Sequence, residues 1–174
     1  NPDLVLPPLA LSYRDYVVWN KALEATPHYQ QAQSYWLQRL DTLPPAPKLP
    51  LRRTAINLNG QEHSTEPEAK FVHRHLFLEA AHWQVLQQRA QRVGITPTAL
   101  LAAAFAEVLT MWSEQPQFTL NCTFFNRPTD LHPQLDDILG DFTAATLLEV
   151  DNRGSGTIVD RAKQLHRRLW QDLE

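Results

Sequence analysis

With 174 residues, the chain is long enough for one domain, or for part of a larger one, with a sizeable core. Its formal charge of -3 supplies neither the basic face that nucleic acid calls for nor attraction to an anionic membrane, so neither partner is expected. Cys122 is the single cysteine, which excludes an internal disulfide and a multi-thiolate metal site and points to a cytoplasmic location.

The chain opens on "NPDLVLPPLALSYRDY" without a methionine and closes on "DRAKQLHRRLWQDLE", a helical pattern without a stop signal. A fragment of a longer polypeptide is expected. Ser12 with Asp15 three residues later forms a capping box, and Tyr13, Tyr16, Val17 and Leu23 make an apolar stripe behind it, predicting a helix over 12–25. Thr26 and Pro27 break the chain. A second helix follows in "HYQQAQSYWLQRL", with Tyr29, Ala32, Trp36 and Leu40 at helical spacing. In "DTLPPAPKLPLRR" the prolines 44, 45, 47 and 50 exclude helix and favour an extended course. Asn59-Gly60 is a turn signal, and the composition divides the chain into 1–65 and 66–174.

"KFVHRHLFL" alternates as a strand, with Val72, Arg74 and Leu76 on one face and Phe71, His73, His75 and Phe77 on the other. A helix over 79–93 stops at Gly94. Thr96-Pro97 then starts a helix over 98–112 whose small residues predict close, central packing. Its apolar run, interrupted by Glu107, is shorter than the roughly 20 residues needed to cross a bilayer. The next strand, 118–126, faces Phe118, Leu120, Cys122 and Phe124 one way and Asn121, Thr119, Thr123 and Phe125 the other. "HPQLDDILG" is a helical turn, and "LGDFTAATLL" continues as a strand to Val150 with Asp141 and Thr143 on one face. Thr157 and Asp160 cap a last helix. The order of elements predicts a layered α/β domain.

His73 and His75 share a strand face but lack a third ligand, so no metal site is expected. Cys122 sits among apolar residues as a structural thiol, and the scattered glycines form no phosphate loop. Asp136 and Asp137 are adjacent and point apart, as at a solvated helix start. For Asp141 two readings stand level: a polar patch on the sheet, or a strand end with the carboxylate in solvent.

Four ordered segments carry a resemblance: "LPPAPKLPL", "TPTALLAAAFAEVLTMWS", "FTLNCTFFNR" and "GDFTAATLLEVD". Together with "LSYRDYVVW" and "LWQDLE", they resemble the heterocyclization domains of nonribosomal peptide synthetases, cyclising relatives of condensation domains. The resemblance covers nearly the whole chain. It implies the two-lobed chloramphenicol-acetyltransferase-like fold, with 1–65 ending the first lobe and 66–174 beginning the second. It also implies condensation of an acyl or peptidyl thioester with carrier-bound cysteine, serine or threonine, then cyclodehydration to a thiazoline or oxazoline. The partners implied are upstream and downstream carrier domains and neighbouring synthetase domains; substrates arrive on phosphopantetheine arms, with no cofactor or metal bound directly.

By the same resemblance Arg127 would pair with the second aspartate of a D-x4-D-x2-S motif upstream of Asn1, joining the lobes. Asn121 and Asn126 are candidates for polar positioning, while Asp141 and Thr143 would line or support the tunnel. The main catalytic residues are expected in segments beyond this chain, which alone is expected to be inactive. The competing expectations are a condensation domain forming amides only and a noncatalytic module that contacts carrier proteins.

Overall fold

The computed structural model describes residues 7–50 and 72–173. Among the described residues, five α-helices, α1 (Tyr13–Ala22), α2 (Pro27–Arg39), α3 (Ala80–Arg92), α4 (Pro97–Trp112) and α5 (Ile158–Leu173), accompany a two-stranded sheet of β1 (Gln117–Phe125) and β2 (Thr143–Asp151). The α/β class expected from the sequence is the one observed.

Local chemistry starts most helices where the sequence predicts. At α1 the Asp15 N–H donates to Ser12 Oγ at 3.4 Å, and Ser12 N–H donates to Asp15 Oδ2 at 2.9 Å. At α5 Thr157 and Asp160 make the same reciprocal pair at 3.0 and 3.2 Å. Thr96 accepts from Ala99 N–H at 3.2 Å with Pro97 in the first helical turn. Thr26-Pro27 does the same for α2, so the expected break is also a helix start. Gly94 ends α3 at φ +76°, with its N–H donating to Gln91 O and that of Ile95 to Ala90 O, each at 3.1 Å. This paired geometry favours glycine because a Cβ disfavours left-handed backbone.

The strands are antiparallel, in a register that pairs Gln117 with Asp151 and Phe125 with Thr143. Phe118, Leu148 and Val150 are buried against Ala99, Ala103 and Ala106 of α4 and Ala162 and Leu165 of α5. Each of the three larger side chains contributes about 1.5–3 kcal/mol on burial. Alanines at i, i+4 and i+7 let α4 approach the sheet closely, as predicted. Its opposite stripe, Leu101, Phe105, Val108 and Trp112, is more than half exposed, so among the described residues α4 is covered on one side only. A second cluster joins Tyr16 of α1 to Leu135, Ile138 and Phe142.

The proline-rich segment serves a purpose beyond connection. Thr119 N–H donates to Pro45 O at 3.0 Å and its hydroxyl to Pro44 O at 2.6 Å, while Glu114 N–H donates to Lys48 O at 3.1 Å. Prolines offer carbonyls without N–H groups, and here the Pro44 and Pro45 carbonyls occupy both donors of Thr119 on the outer edge of β1.

Two expectations are corrected. Residues 72–79 form no strand: Leu76 is 97% and Phe77 91% exposed, and among the described residues no strand pairs with them. Alternation alone leaves the backbone donors and acceptors unpaired. The second correction concerns Asp141, which precedes β2 rather than sharing a strand face with Thr143. Lys70, Phe71, the Asn59-Gly60 turn and the division near residue 66 lie outside the described residues.

Candidate functional site

The strand ends and the connection between them, 126–142, form one corner of the molecule. Beyond the last β1 residue, Asn126 N–H donates to Phe142 O at 2.7 Å and so extends the pairing by one step. Arg127 comes next and turns back over the connection. Its Nη1 donates to Leu135 O at 2.6 Å and to Ile138 O at 3.3 Å, and the guanidinium lies 4.1 Å from the Phe142 ring centroid. Cation–π attraction and two charge-assisted bonds thereby add to the packing of Leu135, Ile138 and Phe142 on Tyr16 in holding the connection. No described carboxylate is within ion-pair distance of Arg127.

Asp141 is exposed, and its Oδ1 accepts from Thr143 N–H at 2.9 Å. Hydrogen bonding from Thr143 holds the carboxyl below its ordinary range, so it is an anion near neutrality. Phe142 is buried between the exposed Asp141 and Thr143. This is the strand-end reading rather than a patch within the sheet. Tyr13 hydroxyl donates to Asp141 O at 2.5 Å, and Tyr16 hydroxyl to Asn126 O at 3.4 Å.

Asn121, Thr123 and Phe125 share the exposed face of the hairpin with Thr143 and Ala145. Asn121 stands four residues before Phe125, the partner of Thr143, a separation of about 13 Å along the strand. It borders a cleft of ≈ 370 Å³ with Trp36, Leu40 and Leu147. Asn126 borders a larger one of ≈ 790 Å³, between α2 (Tyr29, Trp36), Phe124 and the end of α5. The structure therefore gathers Asn126, Arg127, Asp141 and Thr143 at one corner and leaves Asn121 mid-strand.

Sequence reasoning missed a buried polar network. The Asp172 side chain has no exposed surface, and its Oδ1 accepts from Tyr35 hydroxyl at 2.6 Å and from Arg39 Nη1. Arg39 Nη2 reaches Glu149 at 3.3 Å, and Arg168 reaches the same carboxylate at 3.4 Å. Burial, followed by the bond to Asp172, raises the Tyr35 hydroxyl above its ordinary value, so it remains a donor. Asp172 Oδ2 is buried without a hydrogen-bond partner among the described residues. A signal was present: Ala162, Leu165, Leu169 and Asp172 fall on one stripe of α5, an acid where the pattern calls for an apolar residue.

Cys122 is half-buried and burial pushes its thiol up, against a thiolate nucleophile near neutrality. Among the described residues no three His, Cys, Asp or Glu are placed to hold a metal ion, and no single helix is long and apolar enough to cross a membrane.

Residues 2–173 match the family model described as Condensation domain. Pyochelin synthetase PchF of Pseudomonas aeruginosa is 40% identical over 174 residues, covering 100% of this chain and 9% of that protein. Phenyloxazoline synthase MbtB of Mycobacterium tuberculosis is 36% identical over 168 residues, 94% of this chain and 11% of that protein. Among solved structures, the EpoB NRPS cyclization-docking bidomain from Sorangium cellulosum superposes with a TM-score of 0.84 at 39% identity, over 99% of this chain and 33% of that one. The chain thus spans about a tenth of the length of these curated relatives.

Proposed function

The chain belongs to the condensation-domain family, and on that premise we propose that it is part of a heterocyclization domain of a nonribosomal peptide synthetase. The observation that carries this reading is its likeness, over 99% of its length, to the EpoB cyclization-docking bidomain. The name of a second relative, a phenyloxazoline synthase, points to the same class of ring.

In this reading the amine of a carrier-bound cysteine, serine or threonine attacks the donor thioester carbonyl. A C–N bond forms, the C–S bond breaks and the donor arm leaves as a thiol. The acceptor's own thiol or hydroxyl then adds to the new amide carbonyl, whose oxygen departs as water with two protons, leaving a C=N bond in a thiazoline or oxazoline. Both substrates travel on phosphopantetheine arms of carrier domains, which with neighbouring synthetase domains are the partners.

The residues of this chain suit supporting parts. Asn121 and Thr143 present donors on the outward strand face, of the kind that steadies a tetrahedral intermediate. Asp141 presents a fixed anionic carboxylate at the turn, placed to relay a proton in ring closure, and Asn126 borders the larger cleft. Arg127 orders the connection, and its pairing with an upstream aspartate would tie the lobes together. The principal catalytic groups belong to other segments of the intact domain.

The test is intact mass spectrometry of the carrier-bound product, made by the intact domain from a donor thioester and cysteinyl or seryl carrier. The expected product is lighter than the simple amide by one water. Product at the amide mass alone overturns heterocyclization in favour of condensation, and no product at all favours the noncatalytic module.

A further inference from the structure

Tyr13 touches three consecutive residues of the turn that carries Asp141. Its hydroxyl donates to the Asp141 backbone oxygen at 2.5 Å. Its ring meets Phe142 edge-on, with centroids 5.4 Å apart and planes at 84°. The same ring fills the space a side chain at 140 would need: a Cβ there would lie 2.0 Å from Cδ2, 2.4 Å from Cε2 and 2.7 Å from Cγ of Tyr13. Carbon atoms do not pack so closely, so the Tyr13 ring in this position requires glycine at 140.

Tyr13 is itself well anchored. It is the first residue of α1, directly behind the Ser12–Asp15 capping box, and its ring lies 5.6 Å from that of Tyr16, which is buried. The turn is thus held by a helix more than a hundred residues away in sequence. Thr143 N–H fixes the Asp141 carboxylate from one side at 2.9 Å, and the Tyr13 hydroxyl fixes its main chain from the other. An exposed loop residue otherwise has no such restraint.

We propose that Tyr13 is a positioning residue for Asp141, orienting it for ring closure through the hydroxyl bond to its carbonyl and the ring packed over Gly140. This rests on the heterocyclization reading above. Acyl transfer requires the amine and thioester to meet, whereas loss of water also requires a group held in one orientation that takes the proton from nitrogen and delivers it to the departing oxygen. Loosening the turn therefore affects the second step more than the first.

The experiment is Tyr13→Phe in the intact domain, scored as the ratio of dehydrated to open amide product on the carrier by intact mass at single turnover. Phenylalanine keeps the ring over Gly140 and removes only the hydroxyl. The ratio is expected to fall about three- to tenfold, the scale set by one net hydrogen bond. Gly140→Ala should lower the ratio in the parent but not further in a Tyr13→Ala background. A merely structural role lowers both products together and leaves the ratio at the parent value, and that result overturns the proposal even if the variant is less stable. A parent domain that yields only open amide overturns the heterocyclization reading itself, and the positioning role with it; a parent that closes the ring while Tyr13→Phe keeps its ratio overturns the positioning role alone.

Discussion

At the level of single residues, the chemistry of Asp141 is set by a turn. Its carboxylate is exposed, anionic and held by Thr143 N–H at 2.9 Å. Asparagine there retains an acceptor oxygen for that N–H and loses the charge and the basicity, so Asp141→Asn separates chemistry from loop structure. In the intact domain the open amide should accumulate on the carrier, by about tenfold or more relative to ring product if Asp141 serves as a proton acceptor. An unchanged product ratio in the mass spectrum would return Asp141 to holding the loop. Arg127 acts differently: its two bonds to the carbonyls of Leu135 and Ile138 and its place over Phe142 make it a scaffold for the same corner. None of those three partners carries a charge, and an "FNR" motif alone names none of them. The sequence marks out the arginine, but its contacts are made by folding the connection back on itself.

Among the elements, those set by neighbouring residues were legible and those set by distant ones were not. The Ser12/Asp15 and Thr157/Asp160 boxes, Thr96-Pro97 and Gly94 act within a single turn, so their spacing is their structure. The expected strand around Val72 and Leu76 needed a partner that its own alternation does not supply, and Asp172 needed Arg39 from another helix. The capping boxes carry a pH prediction. Hydrogen bonds from Ser12 and Thr157 hold Asp15 and Asp160 below the ordinary carboxyl value of 3.8. A carboxyl lowered on folding contributes stability above its unfolded value and loses it as pH falls through the folded one. The first turns of α1 and α5 should therefore fray as pH drops below about 4, seen as lost far-ultraviolet circular dichroism. Ser12→Ala with Thr157→Ala should shrink that acid-dependent step, because the hydroxyl bonds to Asp15 and Asp160 are lost while the main-chain N–H bonds stay. A step of full size in the double variant would place its origin elsewhere.

For the molecule as a whole, α4 is the element whose two faces disagree. Ala99, Ala103 and Ala106 are buried on the sheet, whereas Leu101 and Phe105 are each 56% exposed, Val108 53% and Trp112 64%. A contiguous apolar stripe of this kind marks surface that favours cover over water. The cyclization structure that the chain resembles is about three times its length, with the chain covering 33% of it. If the remaining part of a domain covers α4, the isolated chain should bind an apolar dye such as anilinonaphthalene sulfonate and the intact domain should not. Phe105→Ser with Val108→Ser should reduce the dye signal of the isolated chain by about half, while exposed substitutions of this type shift stability by only about 0.5 kcal/mol each. The melting temperature distinguishes lost surface from lost fold. Equal dye binding by the isolated chain and the intact domain would show the stripe uncovered in both, leaving α4 as outer surface rather than an inner layer of the larger fold.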